Sequence, residues 1–513
     1  MTDGGHQAEN RIEAGSRSWS IAWLLVILAV YAAFRVPFVL KQLGGQDEQL
    51  FAPPGLTVAR EGVPRIPFYP ARHPDAFFYK ADEAVFALPP GLFYLQAPFY
   101  LALPAGYPTG RWPCFLAGAV AIWLVYELAR RVAGNMAGLW AAGLYGLSRV
   151  LFFAATMARP DQPCATCGLG AILLVWNYAD TGRLRWVIAA GALLGLGMLC
   201  HPFAIIFCLL AGVWTLLIAA RITKRLIAAS LLTMTTLVVF ALWLPLILAH
   251  RDAFEHQFFN NVLRPAGPGL TVRLLWPWPY VVHQARLLYE QAGAAQTGLM
   301  AVGVIVATLF AFRRSATSAE RRLVALVWGG LYLLTAIQGF HPTKGYWCFT
   351  GALALAAAGV CLAKVLDRLK SRSAVAAAGL AVGVVALLIP ESGLRTWWKQ
   401  VVPTADARYD GPEFARRVVA ELPSEGAYLA DPEFVFELWL AGKNVTLRAN
   451  PYDFQVERQP YDWLVVSRDG LRKEIPKQLE GELVRSFGPK DDPLACYAEV
   501  YRPQSTAKTS PSP

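Results

Sequence analysis

Two stretches constrain this chain more than any other feature: WSIAWLLVILAVYAAFRVPFVL (residues 19–40) and RLIAASLLTMTTLVVFALWLPLIL (residues 225–248). A helix in a soluble protein is apolar along one stripe, whereas these runs are apolar all round. At 1.5 Å per residue, about 20 residues cross a hydrocarbon core of ~30 Å. Marking similar runs along the chain gives roughly eleven spans. They begin near Trp19, Cys114, Met136, Pro163, Trp186, Phe203, Leu226, Thr297, Leu323, Tyr346 and Ala374. The composition agrees, with 55% hydrophobic and 16% charged residues and a mean hydropathy of +0.38. The expected fold is an all-α polytopic membrane protein. Residues 1–18 form a short N-terminal tail and residues 19–394 the membrane domain. The first run is long and lacks a small-residue cleavage site, so it is expected to stay as an anchor.

The net charge of +11 would suit a nucleic-acid binder only if it were gathered on one face with interleaved aromatics. It is not. The basic residues sit in short gaps between apolar runs: Arg130 and Arg131, Arg183 and Arg185, Arg221 with Lys224 and Arg225, Arg313 and Arg314, Arg321 and Arg322, and Lys364 to Arg372. This is the positive-inside pattern, and all these gaps fall on the cytoplasmic side if the N-terminus does. An odd number of crossings then puts the C-terminal end outside, periplasmic or extracellular, for a chain expected in a bacterial inner or plasma membrane.

That orientation leaves two long outer loops, about residues 41–112 and 250–296, rich in proline, aromatic and charged residues. Short interfacial helices are expected there. From about residue 395 to 503 the pattern changes. GPEFARRVVAEL, PEFVFELWLAG and GLRKEIPKQLE read as helices, and GAYLAD, NVTLRA and DWLVVS as strands. A small α/β domain follows from that alternation, and STAKTSPSP (505–513) has the composition of a disordered tail. Of the eight cysteines only Cys496 falls in this region, which excludes a disulfide framework there. Cys164 and Cys167 in CATC have metal-like spacing but no second pair, and read as small apolar filler.

Ionisable groups are costly in lipid, and apart from Arg149 the spans are nearly free of them. They collect instead where spans meet the outer face: Arg35, Asp47, Glu48, Arg159, Asp161, His201, HRDAFEH, and HPTKGYW with His341 and Lys344. A site at one face suits a substrate whose tail remains in lipid. A phosphate headgroup calls for Arg, Lys or His, and activating a hydroxyl calls for a carboxylate. The same carboxylate can ligate a divalent cation, and the residue types leave both roles open. Two acidic pairs compete. Asp47 and Glu48 in QDEQLFAPPG follow the first span, whereas Asp82 and Glu83 in ADEAVFALPPG lead directly into a proline-rich interfacial helix.

An ordered series of motifs adds a resemblance. The first-loop acidic pair is followed by PPGLFYLQAPFYLALPAG (89–106), YELARRVAGNMAGLWAAGLYGLS (126–148), ARPDQP (158–163), AAGALLGLGMLCHPFAIIF (189–207) and HPTKGYWCFTGALALAAAG (341–359). Over about residues 19–370 the chain resembles the GT-C glycosyltransferases of the protein O-mannosyltransferase and aminoarabinose transferase branch. It departs from them at LCHP, with His201 where relatives often carry Thr-Lys, and at LSRV, with Arg149 where proline is common. The resemblance implies an inverting glycosyltransferase that moves a sugar from a polyprenyl-phosphate donor to a lipid, glycan or protein acceptor at the outer face. Asp47 would be the base, with Glu48 and Asp161 as its partners. Arg159, His341, Lys344 and Tyr346 would meet the carrier phosphate, and Asp82, Glu83, His201 and Arg264 are secondary candidates. A metal, magnesium or manganese, would sit on Asp47 and Asp161. The competing class is a transporter or flippase of lipid-linked glycans, which calls for inverted repeats and polar groups at mid-membrane; neither is evident in the sequence.

Overall fold

The computed structural model describes residues 3–45, 47–218, 221–263, 268–389, 394–401, 406–447 and 460–504. Arg264 and the STAKTSPSP tail lie outside them, as do the last two residues of NVTLRA.

Helix α1 (Asp3–Lys41) starts upstream of the first apolar run. Three short helices follow in the first loop: α2 (Glu48–Phe51), α3 (Pro53–Glu61) and α4 (Gly91–Ala102). Helix α5 (Tyr107–Leu147) is two spans joined at a kink, where Gly134 takes φ +82°, a conformation that glycine reaches without steric cost. Ser148 then breaks the chain and caps α6 (Arg149–Thr156), its Oγ accepting from Leu151 N–H at 3.2 Å. Next come α7 (Asp161–Thr181), α8 (Arg185–Cys200), α9 (Ile205–Ile218) and α10 (Ile222–Phe240). Helix α11 (Leu244–Ala249) continues the α10 segment, and the second long loop holds α12 (Arg251–Phe258) and α13 (Leu270–Leu275). Helix α14 (Trp278–Ala311) bends at Gly293, with φ +76°. Helix α15 (Ser318–Gln338) opens on a capping box, in which Thr317 and Glu320 satisfy each other's backbone N–H groups. Helices α16 (Cys348–Lys370) and α17 (Ala374–Leu388) complete the bundle.

Each expected span therefore has a helix; most begin within a few residues of the position read from sequence, whereas α1 and α14 begin well upstream of Trp19 and Thr297. Among the described residues, five helical segments are long and apolar enough to cross a membrane: Ser18–Lys41, Tyr107–Leu147, Ile222–Ala249, Trp278–Ala311 and Lys344–Lys370.

Small residues set the bundle's packing, as they do where lipid removes the hydrophobic drive between helices. Helix α16 is buried from Cys348 to Ala363. A Cβ on its Gly359 would lie 2.5 Å from the Ala141 backbone of α5, and one on Gly303 of α14 would lie 2.5 Å from Ala358. These contacts allow backbone-to-backbone approach, and larger residues would separate the helices.

The C-terminal region starts with α18 (Leu394–Val401) and α19 (Gly411–Ala420), followed by β1 (Ala427–Ala430), α20 (Pro432–Leu440), β2 (Asn444–Leu447), β3 (Trp463–Ser467), α21 (Arg468–Arg472), α22 (Ile475–Gln478), β4 (Gly481–Phe487) and β5 (Ala498–Pro503). The sheet order is β2-β1-β3-β5-β4, with β1 parallel to β2 and β3 and the remaining pairs antiparallel. Strands β4 and β5 were not anticipated. β4 is exposed along most of its length and lacks the buried alternation that marks a strand. One face of the sheet has a small core of its own, Leu464, Val466 and Tyr501 with Leu429, Tyr461, Leu471 and Leu479; the other is shared. Phe414, Phe434, Phe436 and Val465 share one buried cluster with Leu50, Phe51, Phe68, Tyr69 and Tyr107 of the first loop and the head of α5. The first loop and the tail sheet thus pack as one body on the end of the bundle.

Candidate functional site

Gly44 and Gly45 end the segment after α1, and a tight turn closes with Glu48 N–H donating to Gly45 C=O at 3.0 Å. Asp47 takes φ +78°, a left-handed conformation that is costly for a non-glycine residue and concentrates at functional sites. The turn sends the two adjacent acids in opposite directions. The Asp47 side chain is 51% exposed, whereas that of Glu48 is fully buried.

Glu48 grips the site's framework. Its carboxylate accepts from Arg111 Nε at 2.7 Å and Nη2 at 2.6 Å, and from the Ala158 N–H at 2.8 Å. Arg111, also fully buried, donates to the carbonyls of Val39 and Gln42 at 3.1 and 2.8 Å. This single ion pair joins the end of α1, the acidic turn, the head of α5 and the segment before α7. Arg111 was missed in the sequence. Its signal was a lone arginine at the head of an apolar run.

Arg159 follows on the segment that Glu48 holds. Its guanidinium pairs with Asp47 Oδ2 and, through Nε, with Asp161 Oδ2 at 2.7 Å. Burial pushes the Arg159 pKa down, but Asp161 and Asp47 outweigh it and the net shift is upward, so the guanidinium stays charged. Asp161 opens α7 and is buried; its Oδ1 has no hydrogen-bond partner but lies 3.6 Å from His201 Nε2. His201 Nδ1 accepts from the Phe203 N–H at 3.1 Å, so in the neutral ring the proton is on Nε2, facing Asp161. Burial lowers the His201 pKa to about 4 despite Asp161, with Arg159 adding to the shift, so the ring is neutral at physiological pH.

The HPTKGYW turn closes over this group. Tyr346 packs against His201, Phe203 and His341 with ring centroids 5.4, 4.3 and 5.7 Å apart. Burial and the nearby Arg159 charge lower the His341 pKa. Gln338 braces the turn, its Nε2 donating to the carbonyls of His341 and Thr343 at 3.1 and 2.7 Å. Lys344 points to the rim, where its ammonium pairs with Glu290 at 2.8 Å and Arg286 shares the same acid. Glu290 and Gln338 were not anticipated: Glu290 lies in the segment read as the second outer loop, and Gln338 inside a helix that reads as a span.

The structure thus gathers Asp47, Arg159, Asp161, His201, His341 and Tyr346, with Lys344 at the edge. Asp82 and Glu83 are elsewhere. Arg72 forks onto Asp82 with two 2.6 Å hydrogen bonds and approaches Glu83 at 3.9 Å, and Lys80 links this group to Asp252.

A divalent ion shared by Asp47 and Asp161 would need several more oxygen ligands and the place now taken by the Arg159 guanidinium. Among the described residues no cluster of three or more His, Cys, Asp or Glu side chains could hold a metal. As arranged, the two carboxylates fit a bridging guanidinium and do not fit a shared cation.

Residues 87–248 match the family model described as dolichyl-phosphate-mannose-protein mannosyltransferase. No curated protein matches the chain. Among solved structures, the chain is similar to ArnT from Cupriavidus metallidurans bound to undecaprenyl phosphate, with a TM-score of 0.60 and 16% identity over 93% of this chain and 98% of that one. It is also similar to the archaeal oligosaccharyltransferase AglB from Archaeoglobus fulgidus in complex with an inhibitory peptide and a dolichol-phosphate, at TM-score 0.53 and 13% identity, covering 94% of this chain and 74% of that one. At such identities the likeness establishes the fold: a polytopic membrane architecture of the GT-C type, here with a small C-terminal sheet.

Proposed function

From the GT-C fold as premise, we propose that this chain is an integral membrane glycosyltransferase, transferring a sugar from a polyprenyl-phosphate donor to an acceptor hydroxyl at the outer face of the membrane. The observation that carries this reading is the chain of charges Asp47–Arg159–Asp161, held at one end of the bundle by a buried ion pair.

The division of labour follows from exposure. Asp47 is the base. One of its oxygens is held by Arg159, and the half-exposed carboxylate can accept the acceptor hydroxyl's proton. The freed oxygen attacks the anomeric carbon from the face opposite the phosphate. The new glycosidic bond forms as the bond from C1 to the phosphate oxygen breaks, inverting the anomeric centre, and the polyprenyl phosphate leaves with its negative charge. Arg159, His341, Lys344 and Tyr346 are the polar groups at hand for that phosphate. Asp161 and neutral His201 orient Arg159 from behind. Glu48, out of solvent's reach, acts by position rather than by contact with substrate. No step is assigned to a metal. The N-terminus is cytoplasmic and the tail sheet lies outside, in a bacterial inner or plasma membrane.

The test is transfer by the purified protein in liposomes, from labelled polyprenyl-phosphate sugars to a cell-envelope extract. The proposal expects a new glycosidic product that is lost in Asp47→Asn and strongly reduced in Asp161→Asn. Transbilayer movement of the lipid-linked sugar without any new glycosidic bond would replace the proposal with a flippase.

A further inference from the structure

A cavity of about 300 Å³ lies between the end of α1 and the tail sheet, at the small end of the range for ligand sites. Phe38 and Phe152, edge to face at 4.6 Å, form its floor. Gly44 of the acidic turn makes one wall, and Glu433, Leu494 and Tyr497 of the tail region make the other. None of Arg159, His341, Lys344 and Tyr346 lines it, so it is separate from the groups assigned to the donor phosphate.

The polar chemistry of the cavity is specific. Arg468 lines it but is committed, donating to the carbonyls of Pro489, Lys490 and Asp492 at 2.6, 2.7 and 2.8 Å and lying over the Tyr497 ring at 4.9 Å. Glu433 makes no ion pair among the described residues, and its side chain abuts the acidic turn, where a Cβ on Gly45 would lie 3.4 Å from its Cγ. Lys41 also lines the space, so a phosphate would meet one lysine and, beside it, the Glu433 carboxyl. Ser467, which also lines the cavity, hydrogen-bonds Glu433, and an alkyl chain would bury this polar wall without pairing it. A sugar ring meets both demands, laying its apolar C–H face on the phenyl floor and its hydroxyls against Glu433.

We propose that this cavity binds a sugar residue of the acceptor, which makes the acceptor a glycan or glycolipid. Gly44 in its wall precedes Asp47 by three residues in the same turn, so a hydroxyl next to the bound sugar is delivered to the base. The acceptor assignment rests on the glycosyltransferase reading; the sugar site itself does not.

The experiment uses the full chain in lipid nanodiscs, free of glycoside detergents. It is titrated with hexyl β-D-glucopyranoside, hexyl β-D-mannopyranoside and, as an anionic comparator, hexyl phosphate. Saturable binding of at least one glycoside is expected, weakened about tenfold by Glu433→Gln and abolished by Leu494→Trp, which fills the cavity. Absence of saturable glycoside binding overturns the proposal, as does unchanged binding in Glu433→Gln, which retains the side chain's shape should the tryptophan variant misfold. Preference for hexyl phosphate overturns it in favour of an anionic headgroup. Glycoside binding by a protein that forms no glycosidic product would sink the glycosyltransferase reading and leave the sugar site standing.

Discussion

Replacing Glu48 by glutamine should be far more damaging than its distance from solvent suggests. Glu48 and Arg111 are both fully buried, joined by two hydrogen bonds of 2.7 and 2.6 Å. Glutamine keeps the shape but removes the negative charge, leaving the Arg111 charge buried among neutral acceptors. Removing one member of such a pair costs about 3–5 kcal/mol, whereas replacing both with apolar residues of similar volume can be close to neutral. Glu48→Gln and Arg111→Met should each lower stability by about that amount, and Glu48→Leu/Arg111→Met by much less than the sum of the single changes. The assay is denaturation in mixed micelles, followed by tryptophan fluorescence, with transfer measured on the same preparations. The acid also holds the Ala158 N–H, so the single variants should lose transfer even at temperatures where they remain folded. Wild-type stability in Glu48→Gln, or strict additivity in the double variant, would refute the reasoning.

Arg159→Lys preserves the charge but cannot fork between Asp47 and Asp161, and kcat should fall by about a hundredfold with the fold intact by melting temperature. Asp82→Asn and Glu83→Gln break exposed ion pairs worth about 0–1 kcal/mol, so both variants should transfer at wild-type rates in the liposome assay. Burial raises the Glu433 pKa to about 8 and that of Glu437 to about 7. With folded values above the unfolded value of 4.5, the folded state holds protons that the unfolded chain has released. Stability should therefore fall as pH rises from about 4.5 to 8, and the slope should flatten in Glu433→Gln/Glu437→Gln, measured by thermal unfolding across pH.

The bundle was legible because a lipid-crossing helix must be apolar all round, and basic gaps mark where each one ends. The helices α7, α8, α9, α10, α15, α16 and α17 therefore begin within a few residues of the predicted starts, and α14 bends at Gly293, close to the predicted Thr297. The first acidic pair was legible as a site but not in its division: adjacency in sequence could not reveal that a left-handed turn at Asp47 exposes one acid and buries the other. Gln338 escaped because it lies in a helix that reads as a span, and Arg111 and Glu290 because nothing local singles out one charged residue of a long outer loop; only the fold brings them to the site. Strand β4 escaped because an exposed edge strand carries no buried alternation. The sharing of one core by the first loop and the tail sheet follows from contacts across more than 300 residues, which no local pattern records.

Single-turnover transfer by Asp47→Asn, in liposomes loaded with labelled polyprenyl-phosphate sugar, tests the central claim most directly. The substitution leaves the buried Glu48–Arg111 pair untouched, so the variant should fold and bind donor as the wild type does while forming no glycosidic bond. Wild-type product formation by that variant would remove Asp47 as the base and contradict the account.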